Sequence, residues 1–317
     1  FLDIAFFLQG EKKESIIRVL DACDDFYADC GIDRLIDKAL VTISSDNRVR
    51  IHDLLQEMAE EIVREESRKH PERRSRLNDS KEIQDMLQNS MGTDAIEGIK
   101  LKSHGISLRA DAFKKITNLR FLKVHGFVHL PDGLDPLCNK LSYFYWESYP
   151  LKSLPLGFCA KKLVEIHMPY NEVVRLWDDM HNLMNLKTIN LRHSFELVEL
   201  PDLSMAQNLE NVDLRCCMKL RRIHPSILFL PKLFCLNLEG CSKLRSLYGD
   251  NHMKSLKLLM LNGCDSLKKF LLSSEEMTSL DLSDTGIETL KLPIGLFNKL
   301  EELYLGRSLR SFQINEL

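Results

Sequence analysis

Leucine, or a side chain of similar size, opens a recurring phrase at Leu119, Leu141, Leu163, Leu186, Leu209, Leu233, Leu256, Met277 and Leu300, at intervals of 21 to 24 residues. Inside each unit the phrase reads L-x-x-L-x-L, as in Leu186, Ile189, Leu191 and Leu209, Val212, Leu214, and a later apolar pair follows, such as Leu197 with Leu200. Alternation of this kind makes a short strand with one buried face. A unit of this length cannot bury its own leucines, whereas stacked units share a continuous core and align their strands in parallel. Residues 119–317 are therefore expected to form about nine leucine-rich repeats, a curved solenoid with its strands on the concave face. The chain opens at Phe1 with no initiator Met and no signal region, and the pattern is still running at Leu317, so both ends read as cut.

The same register disposes of a tempting metal site. Cys217, Cys241 and Cys264 recur at near-repeat spacing, yet each lies eight residues after its opening leucine, where neighbouring units carry Asn171, Ser194 and Thr285. That is the small polar position inside the turn that leaves each strand, so buried structural thiols are expected rather than zinc ligands. Cys216 and Cys235 fall at outward positions and are the better candidates for modification. Nine cysteines without paired spacing suit a reducing compartment, and the reading is intracellular. A net charge of -3, spread over mixed signs, gives no reason to expect nucleic acid, and no apolar run is long enough to span a bilayer.

Ahead of the repeats the period changes. Asp3–Gln9, Glu14–Ala22 and Gly31–Lys38 read as helices; 40–43 and 48–51 read as a β-hairpin; Asp53–Glu66 reads as an amphipathic helix with Leu54, Leu55, Met58, Ile62 and Val63 on one side. Helices, a hairpin and a closing helix describe a winged-helix domain. Residues 11–53 hold seven Lys or Arg against ten Asp or Glu, which argues against DNA. The basic run Arg64–Arg76 is expected to be a solvated helix end and linker. A short helix over 80–89 and irregular strands at 96–101 and 106–108 complete the entry to the solenoid. The expected fold is thus α/β: a winged-helix domain at 1–90, a linker and capping repeat at 91–118, and repeats from 119.

Ile32-Asp33-Arg34-Leu35-Ile36-Asp37-Lys38-Ala39-Leu40-Val41 and Ile51-His52-Asp53-Leu54-Leu55-Gln56-Glu57-Met58, with Leu151-Lys152-Ser153-Leu154-Pro155 and Leu200-Pro201-Asp202-Leu203-Ser204 in the early repeats, resemble plant intracellular nucleotide-binding leucine-rich-repeat disease resistance proteins of the Toll/interleukin-receptor class. The resemblance implies that His52 and Asp53 match a Met-His-Asp motif that senses bound ADP, with Ile51 standing where that motif has Met. It further implies ADP or ATP as cofactor of the full-length parent, a parent that oligomerises on activation, and a cytoplasmic or nuclear location. No glycine is followed by lysine, so this chain has no phosphate loop and is not expected to bind nucleotide tightly. Nor is it expected to be an enzyme, although the family's amino-terminal domain is associated with NAD cleavage.

Partner binding is expected on the concave strands, through Phe121, Tyr143 and Tyr145 as aromatic anchors, with Arg120, Lys123, His167 and Arg192 beside them. Trp146 occupies a buried phrase position instead. Two occupants stay open for that face: a pathogen effector protein, or the parent's own nucleotide-binding region held inactive. A repeat scaffold for protein binding outside immunity is the alternative function.

Overall fold

The computed structural model describes residues 1–23, 27–158, 161–177, 182–293, 298–306 and 309–315. Two units emerge, residues 1–146 with 157–165 and residues 147–156 with 166–317. The first contains all the α-helices among the described residues.

The first unit opens with a π-helical turn, Ile4–Leu8, in place of the expected α-helix. All five of its side chains are buried, so no polar face exists to give it a helical period. There follow α1 (Lys13–Cys23), α2 (Ala28–Asp37), an antiparallel pair β1 (Thr42–Ile43) and β2 (Val49–Arg50), and α3 (Asp53–Glu66). Then β3 (Arg76–Leu77) and α4 (Ser80–Gln88) lead into β4 (Gly98–Ser107), β5 (Phe121–His129) and β6 (Tyr143–Trp146). The two irregular strands expected at 96–101 and 106–108 are one strand, β4, which pairs in parallel with β5 across a single irregularity near Gly105. The unit's sheet order is β3-β4-β5-β6. Arg74, in the stretch expected to be solvated, is buried: its guanidinium donates to the carbonyls of Ser67 and Arg68 and to Glu82.

One hydrophobic cluster runs through this unit. Ile4, Phe6, Phe7, Ile16, Val19, Ile32, Val49 and Val63 from the winged-helix segment share it with Phe121, Tyr143 and Val164 from the first repeats. The expected boundaries at 90 and 118 therefore do not coincide with a break in packing.

In the second unit the strand phrases form β7 (Glu165–His167, entering this unit at Ile166), β8 (Thr188–Asn190), β10 (Asn211–Asp213), β12 (Cys235–Asn237), β14 (Leu258–Met260), β16 (Ser279–Leu282) and β18 (Glu302–Leu305), adjacent in that order. Between them the later apolar pairs make short parallel ribbons of their own. These are β9 (Glu199–Leu200) with β11 (Arg222–Ile223), β13 (Ser246–His252) with β15 (Lys269–Ser273), and β17 (Thr289–Pro293) with β19 (Ser311–Asn315). Register is exact to the repeat: Ile189 lies beside Val212, Val212 beside Leu236, and Leu236 beside Leu259, all fully or almost fully buried.

The small polar position behaves as its spacing predicts. Cys217, Cys241 and Cys264 are buried, and their thiols donate to the carbonyls of Leu191, Leu214 and Leu238 at 3.2, 3.1 and 3.2 Å. Burial pushes the Cys264 thiol up to about 12, which suits a structural donor and not a nucleophile. Among the described residues no cluster could hold a metal ion. At the end of each strand Asn190, Asp213, Asn237 and Asp281 accept from the backbone N–H two residues on, a repeated Asx turn.

Three residues on from these positions and their equivalents in the other repeats, the chain takes the left-handed conformation at Ser148, Tyr170, His193, Cys216, Gly240, Gly263 and Asp284, with φ between 49° and 73°. Gly240 and Gly263 meet this demand without strain. An L side chain there costs roughly 1–2 kcal/mol, and a bulky one has to be accounted for.

Candidate functional site

At the start of α3, His52 is the N-cap and its Nδ1 accepts from the backbone N–H of Leu54 at 3.2 Å. In the neutral ring this leaves Nε2–H as the outward donor. Asp53 is the first helical residue, exposed, at the positive end of the helix dipole. The apolar side of α3 is split. Ala59 and Val63 are buried and Leu55 half-buried, but Leu54, Met58 and Ile62 are 68%, 41% and 46% exposed. Spaced four apart, these three form a stripe continuous with the His52–Asp53 end of the helix.

The strand face of the first repeats is covered. Phe121 and Tyr143, expected to face solvent, are 0% and 1% exposed because the π-helical turn and α1 lie over them. Phe7 stacks on Phe121 with centroids 5.1 Å apart and planes 5° from parallel. Gly98 makes room for this ring, since a Cβ there would sit 2.3 Å from Phe7 Cζ. Lys123 donates to the Phe7 carbonyl at 3.2 Å while lying 6.0 and 5.3 Å from the Tyr143 and Tyr145 ring centres. Burial lowers the Lys123 pKa, partly countered by Glu11, and raises that of Tyr143 well above the phenol range.

Polar contacts close the same seam. Glu165, two residues before His167 on the same strand, is 2% exposed and accepts from Ser15 Oγ at 2.5 Å, with Arg18 at 3.9 Å. Ser142 meets Cys23 at 2.9 Å. Arg120 pairs with Glu97 at 2.7 Å and lies 3.6 Å from Asp3, which itself pairs with Arg76 at 2.7 Å. Of the seven expected partner-binding residues, then, Phe121 and Tyr143 are core, and Arg120, Lys123 and Tyr145 belong to the seam. His167 and Arg192, both half-buried, stand in the second unit's strand region.

Sequence reasoning missed Asp3, Phe7, Ser15 and Glu165. The aromatic excess at 121, 143 and 145 was a signal for them, because three large rings at outward strand positions call for a cover. It also missed a ring ladder in the second unit. Tyr170 and His193, both left-handed, stack 4.6 Å apart with planes 2° from parallel, and Phe195 meets His193 edge-on at 5.9 Å. Tyr170, Phe195 and Met218 are 47%, 44% and 49% exposed.

The class of fold is thus a winged helix that shares its core with the first of a series of leucine-rich repeats. Residues 1–67 match the family described as the winged-helix domain of Roq1-like disease resistance proteins. Disease resistance protein RPP2A of Arabidopsis thaliana is 40% identical over 314 residues, 96% of this chain and 24% of that protein. TMV resistance protein N of Nicotiana glutinosa is 38% identical over 271 residues, 85% of this chain and 23% of that protein. Disease resistance protein RRS1 of Arabidopsis thaliana is 40% identical over 271 residues, 78% of this chain and 21% of that protein. The chain thus belongs among the plant disease resistance proteins and carries their Roq1-like winged-helix domain, while spanning about a quarter or less of the relatives' length. The leucine-rich-repeat domain of the type III effector XopL aligns at 18% identity over 81% of this chain and 83% of that one, with a TM-score of 0.44. The repeat assignment here rests on strand register and not on that likeness.

Proposed function

We propose that this chain is the regulatory and recognition part of an intracellular immune receptor, in which the repeats bind a pathogen protein and the winged helix reports that event to a bound adenine nucleotide. The observation that carries this reading is the shared core. With Phe7, Phe121, Tyr143 and Val164 in one cluster, and with Lys123 and Glu165 held by winged-helix groups, the first repeats and the winged helix move as one body. A force applied at these first repeats reaches α3 with little loss.

At the start of α3, the Nε2–H of His52 is available to a phosphate oxygen, and the exposed Leu54, Met58 and Ile62 supply an apolar face for a nucleotide-binding domain of the parent to rest on. His52 and Asp53 form one wall of such a site, so the chain alone binds ADP weakly. The aromatic face of the first repeats is a restraint inside the receptor, not a surface for the pathogen ligand. The chain itself does no chemistry, and its compartment is the cytoplasm, with the nucleus as a second address.

The test is nucleotide retention by the full-length receptor. Glu165→Gln keeps the side-chain volume and loosens the seam, so the purified variant should carry less ADP than wild type and signal without pathogen. A Glu165→Gln receptor that retains ADP fully and stays silent at normal abundance contradicts the coupling.

A further inference from the structure

We propose that the rim of the second unit formed by Tyr170, His193, Phe195 and Met218 is a docking surface for a protein that inserts an apolar side chain beside a carboxylate. The inference rests on the reading that the repeats recognise proteins, and adds which surface does so and what chemistry it accepts.

The first ground is conformational. Seven consecutive repeats present the same left-handed position, and two of them use glycine there. Tyr170 and His193 hold the same backbone conformation, with φ of 59° each, against the preference of any side chain with a Cβ. Strain of this kind persists where something compensates for it. Burial does not, since Tyr170 stays half exposed, and the ring stack recovers only part of the cost.

The second ground is the surface itself. Phe195 and Met218 occupy equivalent positions in adjoining repeats, nine residues after Leu186 and Leu209, so their exposed side chains extend the Tyr170–His193 ladder sideways into a patch. The patch ends where Gly240 follows Cys216. A Cβ at Gly240 would lie 3.3 Å from the Cys216 sulfur, and the glycine floor beyond, Gly240 and Gly263, carries no side chain. Rings on one side and bare backbone on the other make a step against which a partner's apolar side chain can lodge.

Charge supplies the third ground. Arg192 immediately precedes His193 and makes no ion pair with the described residues, and its buried Nε has no hydrogen-bond partner. Arg215, one repeat on, is by contrast held by Asp213 at 2.8 Å. The buried Nε is out of a partner's reach, but the charge of Arg192, half-buried one residue from the ladder and without an ion pair among the described residues, favours a carboxylate there.

The experiment uses the 317-residue chain, a phage-displayed library of random peptides, and two double variants, Tyr170→Gly with His193→Gly and Phe195→Ser with Met218→Ser. Panning on wild type should enrich peptides that combine a large apolar residue with Asp or Glu. Their affinity should fall roughly thirtyfold or more on either double variant, and Arg192→Ala should weaken the acidic peptides selectively. The glycine variant should melt at or above the wild-type midpoint, because it relieves backbone strain, and this separates lost recognition from lost folding. A lowered midpoint means the rings hold the fold and overturns the proposal. Enriched peptides that bind both variants as well as wild type overturn the rim while leaving recognition by the repeats standing. Failure to enrich any peptide counts against both.

Discussion

Removing the stacked ring pair Phe7–Phe121 tests whether winged helix and repeats share one core. Phe7 and Phe121 are 2% and 0% exposed, and each Phe→Ala change should cost about 3–5 kcal/mol in lost burial and residual cavity. The rings lie 5.1 Å apart and nearly parallel, so each also loses its partner's face, a contribution of about 0.5–1.5 kcal/mol beyond area. That contribution can be lost only once, and the second truncation opens into a cavity the first has already made beside Gly98. The double variant should therefore be less destabilised than the sum of the singles by roughly 1–2 kcal/mol. The assay is urea denaturation followed by helical circular dichroism, which reports mainly on the winged-helix segment, and by the fluorescence of Trp146 in β6. Trp177→Phe removes the only other tryptophan. The two signals should trace one transition in wild type and in every variant of the cycle. Additivity within about 0.5 kcal/mol, as expected of independent sites, or two separated transitions, would refute the shared core.

Asp53→Val in the full-length receptor should weaken the ADP-bound resting state and give signalling without pathogen; a silent variant at normal abundance removes Asp53 from the switch. Leu214→Ala, at a fully buried position of a middle repeat, should cost about 2–5 kcal/mol by thermal or urea melting, whereas Asn211→Ala on the same strand's open face should cost little. The buried lysines fix the alkaline behaviour. Lys123 and Lys100 have pKa values lowered chiefly by burial from 10.5, so between their folded values and 10.5 the unfolded chain holds more protons and stability rises with pH. Above 10 the raised phenols of Tyr143 and Tyr149 reverse the sign, because the unfolded chain then loses protons that the folded one keeps. The buried thiols Cys241 and Cys264, raised from 9.0, act in that second sense already above pH 9, so the lysine effect is read as a difference: the urea midpoint of wild type relative to Lys123→Met should rise with pH up to 10.5.

The repeats were legible because their signal is periodic and local. Every L-x-x-L-x-L phrase sets its own inward leucines, and each thiol at the small polar position finds the equivalent carbonyl of the repeat before it. The hairpin and α3 were legible for a similar reason: alternation at 42–50 and helical spacing at 53–66 need no distant partner to be interpreted. What could not be read was which outward face is covered. Phe121, Tyr143 and Glu165 occupy positions that point away from the repeat core, and only the three-dimensional placement of Phe7, Ser15 and Arg18, more than a hundred residues earlier, buries them. The converse error occurred on α3. Leu54, Met58 and Ile62 have the spacing of a core face, but the core of this unit reaches only Leu55, Ala59 and Val63. The left-handed positions were hidden because no residue type announces them once glycine is replaced by Tyr, His or Cys.

Native-state hydrogen exchange on the 317-residue chain tests the central claim most directly. Amides deep in the winged-helix segment, such as Ile16 N–H bonded to Lys12, and amides of the first repeats, such as Phe121 and Tyr143 N–H bonded to Glu97 and Arg120, can be followed together. One cooperative unit predicts that both sets open in the same large event, with equal free energies and equal urea dependence. If the winged-helix amides exchange through a smaller opening that leaves Phe121 and Tyr143 protected, the two parts are separate domains in contact, and a partner on the repeats has no rigid path to His52 and Asp53.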